Sequence, residues 1–169
     1  MVTGLFLGRF QPFHEGHLEV MREIAGQVDK LVIAIGSAQD SHTVDDPFTA
    51  GERHLMISET LDEERFRNYF IIPIVDINRY SVWVAHVRSL VPPFDIIFTN
   101  NELTSRLFKE SGIEVRGTKL YDRDRYSGKK VRELMISGGD WRSLVPPGTE
   151  KAIEMLDGEK RIKDLAGGI

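Results

Sequence analysis

Two histidines three residues apart, His14 and His17, are the residues whose types and spacing could do chemistry. Gly16 lies between them, and Gly8 and Arg9 precede them. In the first turn of a helix that spacing puts both rings on one face. A helix start leaves backbone N–H groups without partners and carries positive potential, which makes it a site for anions, phosphate above all. Imidazolium rings and N–H groups aimed at one point would suit a polyphosphate whose charge grows during a reaction. Gly16 has no Cβ and lets a ligand lie close to the backbone. Two other readings compete. One ring could cap the helix while the other stands in solvent, or the pair could bind zinc. The zinc reading lacks a third ligand at a recognisable spacing, and the chain has no cysteine. With Gly8, Arg9 and Gly16 around one strand-to-helix turn, the phosphate reading is preferred.

The elements around this turn follow from hydrophobic spacing. Leu5-Phe6-Leu7 reads as a strand stopped at Gly8, and Pro12 prevents its continuation. From His14, apolar groups at Leu18, Met21 and Ile24-Ala25 recur at helical spacing. Leu31 to Ile35 is an unbroken apolar run, as in a strand covered on both faces. Ser37 to Pro47 is a polar loop just past that strand, where open α/β sheets bind ligands. Thr49 and Glu52 form a capping box. Tyr69 to Val75 reads as a third strand, with Pro73 marking an edge or a bulge. Ser81 is expected to cap a helix through Leu90, which Pro92-Pro93 ends. Phe94 to Phe98 is a fourth strand, Leu103 to Ser111 a helix closed by Gly112, and Ile113 to Val115 a short fifth strand. Such alternation predicts an α/β fold: a doubly wound, Rossmann-like parallel sheet with helices on both faces.

After residue 117 the chain turns basic, with Lys119, Arg123, Arg125, Lys129, Lys130 and Arg132. Tyr126-Ser127-Gly128 reads as a turn, and Ser127 as the cap of a helix carrying Val131, Leu134, Met135 and Ile136. This helix start is a second candidate phosphate site. On charge alone, a solvated loop paired with Asp122, Asp124 and Glu133 is the simpler account. Gly138-Gly139 stops the helix. Ser143-Leu144-Val145-Pro146-Pro147 repeats Ser89-Leu90-Val91-Pro92-Pro93, and both read as helix stops. Thr149 to Leu156 is a last helix, extended after Gly158, and Gly167-Gly168 is a loose end. The whole, 1–169, reads as one domain: an alternating core over 1–117, then the second phosphate motif and a small helical part over 118–169.

Composition narrows the class. A chain of 169 residues with 41% hydrophobic and 28% charged residues is an ordinary globular protein. No cysteine means no disulfide framework and no thiolate chemistry. No signal segment and no membrane-length apolar run are visible, so a soluble, cytoplasmic protein is expected. A formal net charge of −4 weighs against a nucleic-acid binder.

The Walker lysine loop and the three-glycine dinucleotide fingerprint are both absent. Instead, Gly8-Arg9-Phe10-Gln11-Pro12-Phe13-His14-Glu15-Gly16-His17 resembles the first motif of the nucleotidylyltransferases, whose His-x-Gly-His turn binds a nucleoside triphosphate. Tyr126-Ser127-Gly128-Lys129-Lys130-Val131-Arg132 resembles their second motif. Ser37-Ala38-Gln39, Asp46-Pro47-Phe48-Thr49-Ala50-Gly51-Glu52-Arg53, Trp83-Val84-Ala85-His86 and Asp140-Trp141-Arg142-Ser143-Leu144 narrow the match. Together they resemble the archaeal-type nicotinamide-nucleotide adenylyltransferases over nearly the whole chain.

That resemblance implies adenylyl transfer from ATP to nicotinamide mononucleotide (NMN), giving NAD and pyrophosphate, with Mg²⁺ bound through the ATP phosphates and not by protein side chains. It implies His14, His17 and Arg132 as catalytic, His17 nearest the reacting phosphorus. Gly8, Arg9, Phe10, Gly16, Tyr126, Ser127, Gly128 and Arg132 would bind ATP and its phosphates. Asn100 is a candidate adenine or ribose contact, or equally an ordinary turn residue. Ser37, Gln39, Asp76, Asn78 and Trp83 would take NMN, Trp83 by stacking on the cationic ring; the alternative is a core tryptophan. A homo-oligomer, a hexamer, is implied as well. Two departures stand out. Asp45 replaces an arginine that usually reaches phosphate, so Arg53 or another base must substitute or the loop must serve otherwise. Lys129 replaces a threonine. The rivals are a relative adenylylating phosphopantetheine or using CTP, and a nucleotide-binding regulator without turnover.

Overall fold

In the computed structural model, which describes residues 1–119 and 124–167, the apolar run Leu31–Ile35 lies in β2 (Lys30–Ile35) and all five of its residues are fully buried. It is flanked on both sides by parallel strands, as such a run requires. β1 (Thr3–Gly8) and β3 (Tyr69–Pro73) pair with it, and β4 (Ile96–Phe98) and β5 (Glu114–Arg116) extend the sheet beyond β1. The order β3-β2-β1-β4-β5, all parallel, is the doubly wound arrangement, with the winding reversing at β1. Pro73 ends β3, which is an edge strand, as its missing N–H predicts.

The described residues fall into two compact units, each drawn from three stretches of chain. The first holds Met1–Gly8, Val20–Ala38 and Asn68–Lys119, and therefore the whole sheet. α3 (Trp83–Leu90) and α4 (Glu102–Glu110) belong to it. Its core joins Leu5, Val32, Ala34 and Ile97 of the strands to Ile74, to Val84 and Val87 of α3 and to Phe108 of α4. The second unit takes Arg9–Glu19, Gln39–Arg67 and the described part of Leu120–Ile169. It contains α2 (Ala50–Glu63), α5 (Gly128–Ser137), α6 (Pro147–Met155) and α7 (Gly158–Ala166). α2 packs on α6, and α5 on α7. α1 (Glu15–Ala25) begins in the second unit and ends in the first.

Local signals behaved as chemistry dictates where they are self-contained. Thr49 Oγ1 accepts from Glu52 N at 3.1 Å and Glu52 Oε1 accepts from Thr49 N at 2.9 Å, a complete capping box worth about 1 kcal/mol. Ser127 Oγ accepts from Lys130 N at 3.1 Å and caps α5. Gly112 follows α4 with φ +76°.

Other expectations are corrected. Ser81 caps nothing: Tyr80–Val82 is a 3-10 turn, and α3 begins at Trp83 without a side-chain cap. The fourth strand is shorter than Phe94–Phe98, because its pairing with β1 runs only from Gly4 to Phe6. The two proline pairs differ in role. Pro92-Pro93 follows the end of α3, but Pro146-Pro147 opens α6, with Pro147 at its first position, where a missing N–H costs nothing. Asp122, Arg123 and Gly168 lie outside the described residues.

Candidate polyphosphate site

α1 starts directly after His14, and the ring of His14 is its cap: Gly16 N donates to His14 Nδ1 at 3.1 Å. His14 N in turn donates to His17 Nδ1 at 3.2 Å. These amides are thus engaged by the rings rather than presented to a ligand. The two imidazoles stack, with centroids 3.7 Å apart and planes 26° from parallel. Buried Phe10 meets His17 edge-on at 4.8 Å, and buried Phe13 stacks on it at 5.5 Å. Phe10 is held at φ +56°, a conformation an L-residue adopts only under constraint. The space at Gly16 is taken by protein: a Cβ there would lie 2.9 Å from His14 Cε1 and 3.1 Å from Tyr126 Cβ.

These bonds fix the tautomers. Each Nδ1 accepts a backbone hydrogen bond, so a neutral ring carries its proton on Nε2 and offers an N–H donor. Burial, followed by the charge of Arg132, pushes the His14 pKa down to about 4. Burial and then His14 hold His17 well below the usual histidine range. Both rings are therefore neutral donors at pH 7, not imidazolium, because two stacked rings beside a guanidinium resist protonation.

The cation is supplied by arginine. Arg132, on the buried side of α5, is only 10% exposed, and its Nη1 donates to the Gln11 carbonyl at 2.8 Å. Gly128 makes room for it, since a Cβ there would lie 2.8 Å from that nitrogen and 3.2 Å from the carbonyl. Arg9 pairs with Asp46 at 3.0 Å. Arg53 does not take the place of the missing phosphate-binding arginine. It is fully buried and donates to the carbonyls of Arg9 (2.9 Å), Thr49 (3.2 Å) and Asp40 (3.2 Å). Gln11 has a structural role that no local signal in the sequence marks. Its side chain pairs with the backbone of Phe48 in both directions, each at 2.9 Å, so it clips the histidine turn to the start of α2. Glu52 also receives both ends of the Arg161 guanidinium, at 2.6 and 2.8 Å, which ties α7 to the same place.

A cavity of about 260 Å³ results, lined by Arg9, Phe10, Gln11, His14, His17, Gly128, Lys129 and Arg132. Six of these were singled out from the sequence as site residues; Gln11 and Lys129 complete the wall. Ser127 and Tyr126 stand at the head of α5, next to it in sequence. Gly8, Ser37, Asp76, Asn78, Trp83 and Asn100 belong to the first unit, and Gln39 to the second. Gly8 ends β1 and accepts from Gly36 N at 2.8 Å. Ser37 has φ +47° and Asn78 φ +57°. Trp83 is half-buried, edge-on to Phe108 at 5.8 Å against the core. Asn100 bonds Thr118 through both ends of its amide and borders a separate cavity of about 800 Å³ with Thr99, Asn101 and Arg106.

The sheet is parallel and doubly wound, and the histidine turn gathers imidazole and guanidinium groups of the kind that bind a nucleotide's phosphates. Residues 5–134 match the cytidylyltransferase-like family model. A curated relative from Archaeoglobus fulgidus, a nicotinamide-nucleotide adenylyltransferase, is 50% identical over 98% of this chain and 98% of its own length. One of the same name from Thermoplasma acidophilum is 52% identical over 95% of this chain and 89% of its own. The chain belongs to the nicotinamide-nucleotide adenylyltransferases, within the cytidylyltransferase-like family. The fold is shared with a bifunctional NMN adenylyltransferase/ADP ribose pyrophosphatase from Francisella tularensis, crystallised with AMP and a manganese ion. It has a TM-score of 0.78 at 21% identity, over 98% of this chain; this chain spans about half (52%) of that one.

Proposed function

We propose that the chain transfers the adenylyl group of ATP to nicotinamide mononucleotide, giving NAD and pyrophosphate. The observation that carries this is the cavity in which Arg132, Arg9 and Lys129 surround two stacked, Nε2-protonated histidines. The nucleophile is an oxygen of the NMN phosphate, already anionic, so no general base is needed. It bonds to the α-phosphorus of ATP as the bond to the bridging oxygen of pyrophosphate breaks. Catalysis then consists of bringing two polyanions together and stabilising charge on the leaving group. The guanidinium of Arg132 suits bidentate phosphate binding, and Arg9 serves likewise once it turns from Asp46. His14 and His17 donate Nε2–H bonds to phosphate oxygens, and an anion there raises their pKa values. Ser127 and the first amides of α5 hold the outer phosphates. Gly16 and Gly128 keep His14 and Arg132 in place.

Among the described residues, the cavity wall presents cations and imidazoles but no carboxylate, so it lacks the oxygen ligands that a resident Mg²⁺ takes. Mg²⁺ therefore fits as a companion of the ATP phosphates. Trp83, Asp76, Asn78, Ser37 and Gln39 are assigned to NMN, and Asn100 to the adenosine. No helix among the described residues is long and apolar enough to cross a membrane. We assign the reaction to the cytoplasm and to a homo-hexamer, which light scattering would test. A coupled assay for NAD formation from ATP and NMN tests the function: no NAD at any enzyme concentration would refute it.

A further inference from the structure

Asp45 and Asp46 are consecutive, and each faces one of the two arginines of the phosphate cavity. Both stand on a closed turn: Thr43 N donates to Asp46 O at 3.2 Å, and Asp46 N donates to Thr43 Oγ1 at 2.9 Å. The two pairs are unequal. Asp46 is buried, and Arg9 reaches both of its oxygens, at 3.0 and 3.4 Å. Asp45 is 84% exposed, and its Oδ1 lies 4.0 Å from Arg132 Nη2, the outer limit of an ion pair. Arg132 meanwhile is anchored through its other terminal nitrogen to Gln11. The guanidinium is thus fixed by one edge, with a weakly held carboxylate near the other.

We propose that Asp45 is an affinity-determining residue for polyphosphate: it is the exchangeable counter-ion of Arg132, weakens the hold of the site on ATP and pyrophosphate, and hastens pyrophosphate release. This rests on the phosphate-site reading above. An incoming phosphate takes over Arg132 Nη2 and leaves the Asp45 carboxylate beside like charge. The carboxylate is in water, so the repulsion is small per charge and grows with the charge of the ligand. Salt at the level where the screening length falls to about 3 Å should abolish it.

Titration calorimetry on the full chain at low salt tests this with pyrophosphate, ATP, AMP and adenosine. Asp45→Asn should bind pyrophosphate and ATP about two- to fivefold more tightly, AMP less so and adenosine no differently. Asp45→Arg should exceed Asp45→Asn, and Asp45→Glu should behave as wild type. The gain should vanish near 1 M salt. Unchanged or weaker pyrophosphate binding in Asp45→Asn, or an equal gain for adenosine, would overturn the proposal. If the wild-type chain binds neither pyrophosphate nor ATP, the phosphate-site reading falls first, and this proposal with it.

Discussion

The His14 imidazole lies against that of His17 with 3.7 Å between centroids, and the backbone amide of the first donates to the ring of the second. The two rings are therefore one unit: moving either disturbs the other and the start of α1. His17→Ala should lower kcat on the order of a hundredfold, comparable to losing one charge-stabilising donor elsewhere. It should leave the KM for NMN nearly unchanged. Near-normal kcat in a steady-state assay would remove His17 from the chemistry.

The neutral histidines make stability depend on pH. A histidine near 6.5 when unfolded and about 4 when folded takes up its proton in the unfolded chain first. His14 therefore costs nothing above about pH 6.5, and stability falls as pH drops from there towards about 4. Across that interval each pH unit removes up to about 1.4 kcal/mol. Urea midpoints measured between pH 7 and 4 should decline with a slope that His14→Gln reduces.

Gly128→Ala would push a methyl into the place of Arg132 Nη1. The expected result is roughly a tenfold loss of ATP affinity, as for one misplaced charged contact, with a small change in melting temperature. Calorimetric binding and a thermal melt on the same sample separate the two effects.

Gln11 lines the cavity and Arg53 does not, yet both hold the backbone of the histidine turn. Arg53→Lys leaves two or more carbonyls without donors and should cost about 2–4 kcal/mol by urea unfolding. Gln11→Ala strands the Phe48 amide and carbonyl and should cost about 1–3 kcal/mol. Both should lower kcat; full activity with unchanged stability would deny them a positioning role.

Trp83→Ala should raise the KM for NMN well above its effect on the KM for ATP. Because the ring also packs on Phe108, the melting temperature should fall too. Trp83→Phe should restore stability more than NMN affinity. Equal changes in both KM values would assign the tryptophan to the core alone.

What could be read beforehand was whatever depends on neighbours in sequence. The capping box of Thr49 and Glu52, the cap at Ser127 and the buried run Leu31–Ile35 each act over a few residues, and each was legible. The parallel, doubly wound character of the sheet follows from the alternation of elements, but the strand order does not. The rest needed contacts between distant positions. Nothing near Arg53 announces that its guanidinium is spent on carbonyls, one of them 44 residues away. Nothing near Asp45 points to Arg132. Spacing shows that the His14 and His17 rings share a face but not that their surroundings resist protonation. Ser81 is not a cap because it lies inside the 3-10 turn Tyr80–Val82, which runs straight into α3.

Glu52 answers to both Thr49 and Arg161. The final helix is consequently a keystone: unpicking α7 would slacken the strap that Gln11 grips, and damage at one extremity of the chain would surface as disarray at the other.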